Sequence, residues 1–241
     1  MNALELVLSP SGSVTLPMAY QQLIQGALYR VWGETVPELH DEGYSAGGRV
    51  FRMFTFSGLE GHYIPSGSAI TFTGPLRLEV RSPVPALLEP LANAFERERR
   101  IRLGDRTLPI TSLYCRDCLL FPDRALITMR TPLSVHRTEA DGIRRYFAPD
   151  EPEFMPLIAE NLASKLEAAG LALDPFLSMT PVHGSLKKRV ARYRDTYFTG
   201  WTGRFLLDAN PETMSFLYYT GLGAGNSRGF GMFDLLPIAV V

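Results

Sequence analysis

The stretch that decides the fold is residues 211–236, "PETMSFLYYTGLGAGNSRGFGMFDLL". Asn210 precedes it as a helix cap and Pro211 suits the first helical turn, so a short helix is predicted over residues 211–220. A loop with five glycines in eleven residues follows, and an apolar strand is predicted over residues 230–236. The helix, the loop and the strand form the last third of a β-α-β-β-α-β unit.

The same order of elements is predicted twice along the chain. In residues 1–120 it comprises a strand at 3–8, a helix at 17–33, strands at 49–56 and 70–80, a helix at 84–98 and a strand at 108–113. In residues 121–241 it comprises a strand at 125–131, a helix capped by Asp150 and Glu153, strands at 176–180 and 197–207, and the two elements named above. The sequence therefore predicts an α+β chain of two ferredoxin-like domains, 1–120 and 121–241, with the boundary near residues 119–123.

Composition and charge exclude several classes of protein. The 241 residues carry a net charge of −1, which argues against indiscriminate binding of polyanions. The N-terminal stretch is too short and too charged for a signal peptide, and no apolar run reaches the ~18 residues of a membrane span. Cys115 and Cys118 form a C-x-x-C inside a predicted strand without a second ligand pair, so neither a metal nor another cofactor is expected. A cytoplasmic protein is the interpretation we adopt.

The glycine loop, "GLGAGNSRGFG" at residues 221–231, does not fit the common phosphate-binding motifs. It contains no Walker sequence, and from Gly221 or Gly223 the spacing G-x-G-x-x-G fails at Asn226 or Arg228. It also follows a helix and enters a strand, the reverse of those motifs. Two interpretations stay open: a helix cap that continues into a turn, or closely spaced amides that face another backbone or a phosphate chain, with Arg228 suited to an anion.

Three segments resemble the CRISPR-associated repeat RNA endoribonucleases, the sixth Cas family within the repeat-associated RNA-binding superfamily. The glycine loop matches that family's C-terminal motif. The stretch "LHDEGYSAGGRVFRMFTFS" resembles its histidine segment and following strand, and "YFAPDEPEFMPLIAENLASKL" resembles its mid-chain helix. The resemblance covers nearly the whole chain, and the duplicated ferredoxin-like fold of the family agrees with the order of elements.

The resemblance implies an activity and a partner. Members cut the repeat of precursor CRISPR RNA without a metal and leave a 2′,3′-cyclic phosphate and a 5′-hydroxyl. Repeat RNA is thus the expected partner; other Cas effector subunits and a homodimer are left open. One rival is a non-catalytic RNA-binding subunit of the same superfamily, and a more distant one is a protein-interaction module unrelated to RNA.

The candidate catalytic residues are His40, Tyr29 and Arg52. Histidine suits general acid or base catalysis because its ordinary pKa is near ~6.5. Tyr29 is predicted on the polar face of the first helix, in a stripe with Gln22, Gly26 and Gly33, and matches the family's helix tyrosine. The family often has lysine where Arg52 stands, and arginine cannot donate a proton at ordinary pH. Arg49 is the alternative to Arg52, and the alternative histidines are His62, His136 and His183.

The candidate RNA-binding residues lie mainly in the second domain. A basic run with interleaved aromatic side chains can hold phosphates and stack on unpaired bases, although a solvated hairpin would have the same composition. The aromatic residues are Tyr193, Tyr197, Phe198 and Trp201. The RNA-binding set is Gly221, Gly223, Gly225, Arg228, Gly229, Gly231, Lys187, Lys188, Arg189, Arg192, Arg194, Gln22 and Arg49.

Overall fold

A computed structural model describes residues 1–36, 43–117, 119–193 and 196–237. His40, Cys118 and Arg194 lie outside these ranges. The strands are β1 (Ala3–Leu8), β2 (Ser13–Pro17), β3 (Tyr44–Ala46), β4 (Arg49–Phe51), β5 (Thr55–Phe56), β6 (Glu60–Ser66), β7 (Ala69–Arg81), β8 (Arg100–Leu103), β9 (Arg106–Arg116), β10 (Arg124–Met129), β11 (His136–Thr138), β12 (Arg144–Tyr146), β13 (Ser178–Pro181), β14 (Lys187–Tyr193), β15 (Thr196–Thr202), β16 (Arg204–Asp208) and β17 (Phe233–Leu236). The helices are α1 (Gln21–Thr35), α2 (Pro85–Glu98), α3 (Phe154–Ala169) and α4 (Pro211–Thr220), with a 3-10 helix at Asn226–Arg228.

Two antiparallel sheets share one strand order. In the first sheet β5 and β6 pair with β7, β7 with β1, and β1 with β9. In the second sheet the order is β13-β16-β10-β17. The four core strands of each unit can be numbered 1 to 4 in chain order: β1, β5–β6, β7 and β9 in the first unit, and β10, β13, β16 and β17 in the second. Both sheets then have the order 2-3-1-4, which is the order that two crossover helices impose on a β-α-β-β-α-β chain. The predicted tandem pair of ferredoxin-like units is confirmed.

The helices cover the sheets with the faces that the sequence predicts. Ile24, Leu28 and Trp32 of α1 are buried in the first core, and the Trp32 indole donates to the carbonyl of Leu87 on α2 at 2.7 Å. In the second unit Asn210 caps α4, as expected, because its side-chain oxygen accepts from the amide of Thr213 at 2.8 Å.

Several predicted boundaries were wrong. Helix α1 begins at Gln21, since residues 13–17 pair with β7 as an additional strand. The capping box at Asp150 and Glu153 does not form: α3 begins at Phe154, and no side chain caps it. The predicted strand 49–56 is broken, because Met53 adopts a left-handed φ of 49° between β4 and β5.

A buried ion network joins the two units. Arg81, at the end of β7, is 1% exposed and donates to the carbonyl of Phe233 and to the carboxylate of Asp234, both at 2.6 Å. Glu79 accepts from Arg81 at 2.8 Å and from Arg130 of the second unit. Because each buried charge has opposite charges around it, the network fixes one arrangement of the two sheets.

Within the described ranges, no helix has the length and apolar character needed to cross a lipid bilayer.

Candidate active site

A cavity of about 620 Å³ is lined by residues of both units. Its walls are the β3–β4 hairpin and the segment after it, the β11–β12 hairpin, one side of α3, and the glycine loop. Five arginines line it: Arg49, Arg52, Arg137, Arg144 and Arg228. Glu160 is the acidic residue in the lining, and it pairs with Arg49 at 2.7 Å. The cavity is thus strongly cationic, and we call it the arginine cleft.

Arg49 and Arg52 both face the arginine cleft. An unbroken strand would have placed them on opposite faces. Strand β4 ends at Phe51, so Arg52 lies beyond the strand and the alternation does not apply to it; both arginines line the same cavity. Gly43 leaves the space that the Arg52 side chain occupies, since a Cβ there would lie 2.0 Å from an Arg52 nitrogen.

Tyr29 was predicted on the polar face of the first helix, but it is half-buried and packs against the first core. Its ring packs edge-on against Trp32 at 5.6 Å and Phe54 at 6.1 Å between ring centres. Burial raises the pKa of the Tyr29 hydroxyl, while interactions with Arg52 and Ser227 oppose that rise. Tyr29 and Arg52, two of the three candidate catalytic residues, are therefore neighbours, and the glycine loop lies beside them.

Gln22 was predicted to bind RNA and Gly26 to lie in the same stripe of α1, but neither residue lines the arginine cleft. Gln22 is half-buried on α1 and does not line the arginine cleft. Gly26 is exposed, and no atom of the described residues would lie within 4 Å of a Cβ at that position. Packing inside the chain therefore does not explain why a glycine occupies the middle of α1.

The glycines of the loop mainly serve the packing of their own chain. All five have positive φ, and four of them are buried: Gly221, Gly223, Gly229 and Gly231. A Cβ on Gly231 would lie 2.0 Å from the carbonyl oxygen of Leu222, and one on Gly223 would lie 2.7 Å from that of Ser134. The prediction that these glycines leave bare amides for RNA is thus corrected at the buried positions, whereas Gly225 is half-buried and lines the cleft.

A lysine on α3 holds the loop in place. Lys165 is buried, and its ammonium group donates to the carbonyls of Gly221 at 2.8 Å and Gly223 at 3.1 Å and to the side-chain oxygen of Asn226 at 2.7 Å. Burial lowers the pKa of Lys165 to about 7. Lys165 was not predicted as a functional residue, although a lysine on the apolar stripe of α3, next to Leu166, was a signal for it.

The 3-10 helix is tied to helix α1 and to the β14–β15 hairpin. The side-chain amide of Gln25 donates to the carbonyl of Ser227 at 2.6 Å, and the Tyr193 hydroxyl donates to the Gln25 side-chain oxygen. The Arg228 guanidinium lies over the rings of Tyr193 at 5.5 Å and Phe198 at 5.3 Å. These contacts hold Arg228 at the edge of the cleft.

In the basic hairpin the charged side chains of β14 are exposed, whereas most of the aromatic side chains are buried. Lys187, Lys188, Arg189 and Arg192 are exposed on β14. Tyr193, Phe198 and Trp201 are buried, so the prediction that these three can stack on bases was wrong. Tyr197 is 64% exposed and keeps the geometry needed for stacking.

Among the histidines of the described residues, His136 lines the arginine cleft. His62 is exposed on β6, where it bonds to the Thr73 hydroxyl at 2.8 Å, and His183 is exposed in the turn before β14. His136 was named only as an alternative. A signal was Asp141-Gly142 in the turn between β11 and β12, where Gly142 has a φ of 81°; the hairpin places His136 opposite Tyr146 and Arg137 opposite Arg145.

No group of three or more His, Cys, Asp or Glu side chains in the described ranges has an arrangement that could hold a metal ion. The exposed Cys115 lies on β9.

The fold and the cleft define a protein of two ferredoxin-like units with a cationic cavity between them. Residues 119–235 match the family model described as CRISPR associated protein Cas6, C-terminal. The resemblance to the repeat RNA endoribonucleases found in the sequence is thereby confirmed.

Solved structures share the fold over almost the whole chain. A Cas6-related protein from Pyrococcus furiosus superposes with a TM-score of 0.84 at 16% identity, over 98% of both chains. A RAMP protein described as binding different RNA substrates gives 0.83 at 16% identity, over 98% of this chain and 100% of the other. A Cas6 product complex gives 0.67 at 20% identity, over 98% and 99%. No curated protein matches the chain by sequence.

Proposed function

We propose that the chain is a metal-independent endoribonuclease that binds CRISPR repeat RNA and cleaves the precursor within each repeat, leaving a 2′,3′-cyclic phosphate and a 5′-hydroxyl. The observation that carries the proposal is the arginine cleft, whose Arg52 interacts with the hydroxyl of Tyr29, a residue of α1 outside the lining. A phosphodiester in such a cavity meets several guanidinium groups, which suit planar, bidentate contacts with phosphate oxygens.

The chemistry needs a base, an acid and a cation. A base removes the proton of the 2′-hydroxyl, the 2′-oxygen attacks the adjacent phosphorus, and an acid protonates the departing 5′-oxygen. Arg52 stabilises the charge on the phosphate but cannot supply the proton. We assign one of the two proton transfers to His40, and an orienting or donating role to the Tyr29 hydroxyl.

The RNA-binding surface extends from the cleft onto the basic hairpin. Lys187, Lys188, Arg189 and Arg192 offer an exposed row of cations, and Arg228 joins this row to the cleft. Arg194 is assigned to the same surface from its sequence position. The match of residues 119–235 to the Cas6 C-terminal family model supports repeat RNA as the partner, and a cytoplasmic location is part of the proposal.

The test is cleavage of labelled repeat RNA in excess EDTA, beside a matched RNA with one 2′-deoxy nucleotide at the scissile position. We expect cleavage of the first and binding without cleavage of the second, because the nucleophile is the missing oxygen. Cutting of the deoxy substrate, or a requirement for magnesium in the chemical step, contradicts the mechanism. His40→Ala should slow single-turnover cleavage by ~10²-fold or more with little loss of affinity.

A non-catalytic RNA-binding subunit is the second candidate, and the observation that favours it is arginine at position 52, where the family often has lysine. The same assay separates the two. A protein that binds repeat RNA but leaves it intact in EDTA and in magnesium is the binding subunit.

A further inference from the structure

The arginine cleft contains an acidic group that the proposed mechanism does not use, the carboxylate of Glu160. Among the described residues of the lining, Glu160 is the one with a negative charge. Its side chain is 56% exposed, so a molecule in the cavity can reach the carboxylate. Arg49 donates to the Oε1 atom of Glu160 at 2.7 Å, and no hydrogen bond to Oε2 is found from the described residues.

One side of helix α3 forms the wall to which this carboxylate belongs. Four residues of the helix line the cavity at positions that share one side of a helix: Leu157, Glu160, Asn161 and Lys165. The glycine loop engages the ammonium group of Lys165, so Glu160 and Asn161 are the polar side chains that this wall offers to a ligand. The arginines of the lining lie on other elements, namely β4 and the segment after it, the β11–β12 hairpin and the 3-10 helix.

A carboxylate in this cavity is suited to a different part of an RNA chain from the part that the arginines bind. Phosphate oxygens are negatively charged acceptors, as carboxylate oxygens are, so Glu160 repels the backbone that the guanidinium groups attract. The edges of the bases carry N–H donors, and contacts to these edges are the ones that distinguish sequences. The Arg49–Glu160 pair is half-exposed, and such a pair contributes little to folding. Its carboxylate is therefore available to a base.

The base that suits a carboxylate best is guanine. Its Watson–Crick edge carries two adjacent donors, N1–H and the N2 amino group, and one carboxylate can accept from both through its two oxygens. Adenine and cytosine have an amino group beside an acceptor nitrogen on that edge, and uracil has one N–H between two carbonyl oxygens. These three bases would each place an acceptor against the carboxylate, which repels it.

We propose that Glu160 is a specificity-determining residue that selects an unpaired guanine in the arginine cleft. The inference rests on the proposed function. Phosphates next to the guanosine bind the guanidinium groups, and the two oxygens of Glu160 accept from N1 and N2 of the base. Arg49 can turn from Glu160 to a phosphate without leaving a buried charge unpaired, because both side chains are half-exposed. The cavity, of about 620 Å³, has the size of sites that enclose small ligands.

The experiment measures the affinity of the full chain for short 2′-fluoro oligouridines that carry one central guanosine, inosine, adenosine or cytidine. The 2′-fluoro groups keep an RNA-like sugar and remove the nucleophile, so the oligomers stay intact. Inosine differs from guanosine only by the missing N2 amino group. We expect wild type to bind the guanosine oligomer at least ~10-fold more tightly than each of the others, because the others lose a charge-assisted hydrogen bond or place an acceptor against the carboxylate.

Two variants test whether Glu160 is the group responsible. Glu160→Gln keeps the shape of the side chain without its charge, and Glu160→Ala removes both oxygens. In both, the preference for guanosine over inosine should fall to about threefold or less. Affinity for the adenosine and cytidine oligomers should not fall, because a repulsive charge is gone. Glu167→Gln, on α3 but outside the lining, makes the same change in net charge and is the matched control; it should keep the wild-type preference.

Other results overturn the inference. A wild type that binds the guanosine and inosine oligomers equally well, or binds none of the four, contradicts selection of guanine. A preference that persists in both Glu160 variants shows that another group recognises the base. If both variants bind all four oligomers more tightly by one common factor, Glu160 acts only as a negative charge. Cleavage of repeat RNA in EDTA tests the proposed function separately, since a chain that selects guanosine through Glu160 but cuts no repeat keeps this inference and loses the endoribonuclease activity.

Discussion

The ammonium group of Lys165 on α3 lies 2.8 Å from the carbonyl oxygen of Gly221 in the glycine loop. Three oxygen atoms surround this ammonium, and none belongs to a carboxylate. The loop is thus held by a buried lysine whose charge only dipoles stabilise, and burial of that charge has a consequence for stability.

The stability of the fold should increase with pH through the titration of Lys165. Its pKa is about 7 in the folded chain and 10.5 ordinarily, so between these values the unfolded chain binds one more proton. The free energy of unfolding of wild type relative to Lys165→Met should therefore rise from pH 7 to pH 10, by up to about 1.4 kcal/mol per pH unit. Urea unfolding at several pH values measures this. Lys187→Met, at an exposed position of β14, is the control. If the free energy of unfolding of wild type relative to Lys187→Met rises with pH as steeply as it does relative to Lys165→Met, Lys165 is not the group that titrates.

The ion network between the two units should make the fold sensitive to acid. Burial by itself would raise the pKa of Glu79, but the Arg81 and Arg130 guanidiniums outweigh it and hold the pKa at about 2. The stabilisation is present above the ordinary value of 4.5 and is lost as pH falls from there towards 2. Glu79→Gln should cost about 3–5 kcal/mol at pH 7, because it leaves buried guanidiniums without their counter-charge.

The check is denaturant unfolding of wild type and Glu79→Gln between pH 7 and pH 3, where the difference should shrink as pH falls. Glu60→Gln tests the same network at its rim, where the carboxylate is 46% exposed and pairs with Arg130 at 2.6 Å; its effect should be about 1 kcal/mol or less. A Glu79→Gln protein as stable as wild type at pH 7 would mean that the network contributes nothing net.

Steric fit, more than backbone conformation, should decide which glycines the loop can lose. Gly231 and Gly142 have nearly the same φ, 75° and 81°, but a Cβ at Gly231 would lie 2.0 Å from a backbone oxygen, whereas at Gly142 it meets open space. Gly142→Ala should cost about 1–2 kcal/mol from the left-handed conformation alone. Gly231→Ala should cost clearly more, or prevent folding. Equal midpoints in urea for the two variants would contradict the role given to the loop.

Arg228 should contribute to RNA affinity in a salt-dependent way. Its guanidinium is held over Tyr193 and Phe198 at the edge of the cleft, so Arg228→Ala removes a positioned cation without opening a core. Affinity for the 2′-deoxy repeat should fall at low salt, and the dependence of log affinity on log salt should weaken by about 0.7 for one phosphate contact on a single strand. Arg97→Ala, on the exposed face of α2, is the matched control and should change neither quantity.

The order of elements could be predicted from the sequence because each long helix has one apolar face and each unit ends with clear turn signals. What escaped prediction depends on contacts between distant parts of the chain. The end of β4 at Phe51, which leaves Arg52 outside the strand, and the left-handed φ at Met53 have no glycine or proline in residues 49–56 that would predict them. The burial of Tyr193 and Phe198 is set by docking of a hairpin onto the glycine loop, because alternation along a strand shows two faces but not which one is covered.

In the glycine loop, the backbone conformation could be predicted from the sequence but the contacts of that backbone could not. The five glycines predicted an unusual backbone conformation, and all five have a positive φ. The partner of that backbone could not be deduced, because Lys165 lies 56 residues from Gly221 in sequence and reaches it only through the packing of α3 against the second sheet. His136 reaches the cleft in the same way, since the β11–β12 hairpin brings it there together with Arg144.

The protonation of His136 should report RNA binding directly. In the free protein, burial and the guanidiniums of Arg144, Arg228 and Arg49 hold its pKa at about 4, so its NMR titration should have a midpoint near that pH. Arg144→Gln removes one of these cations, and the midpoint should rise towards the ordinary value for histidine. Saturation with the uncleavable 2′-deoxy repeat should also raise it, because phosphates neutralise the same cations. Arg97→Gln is the control for a change in net charge alone. A midpoint that stays near 4 in Arg144→Gln and in the RNA complex would show that burial alone sets the protonation of His136, and that the phosphates bind elsewhere.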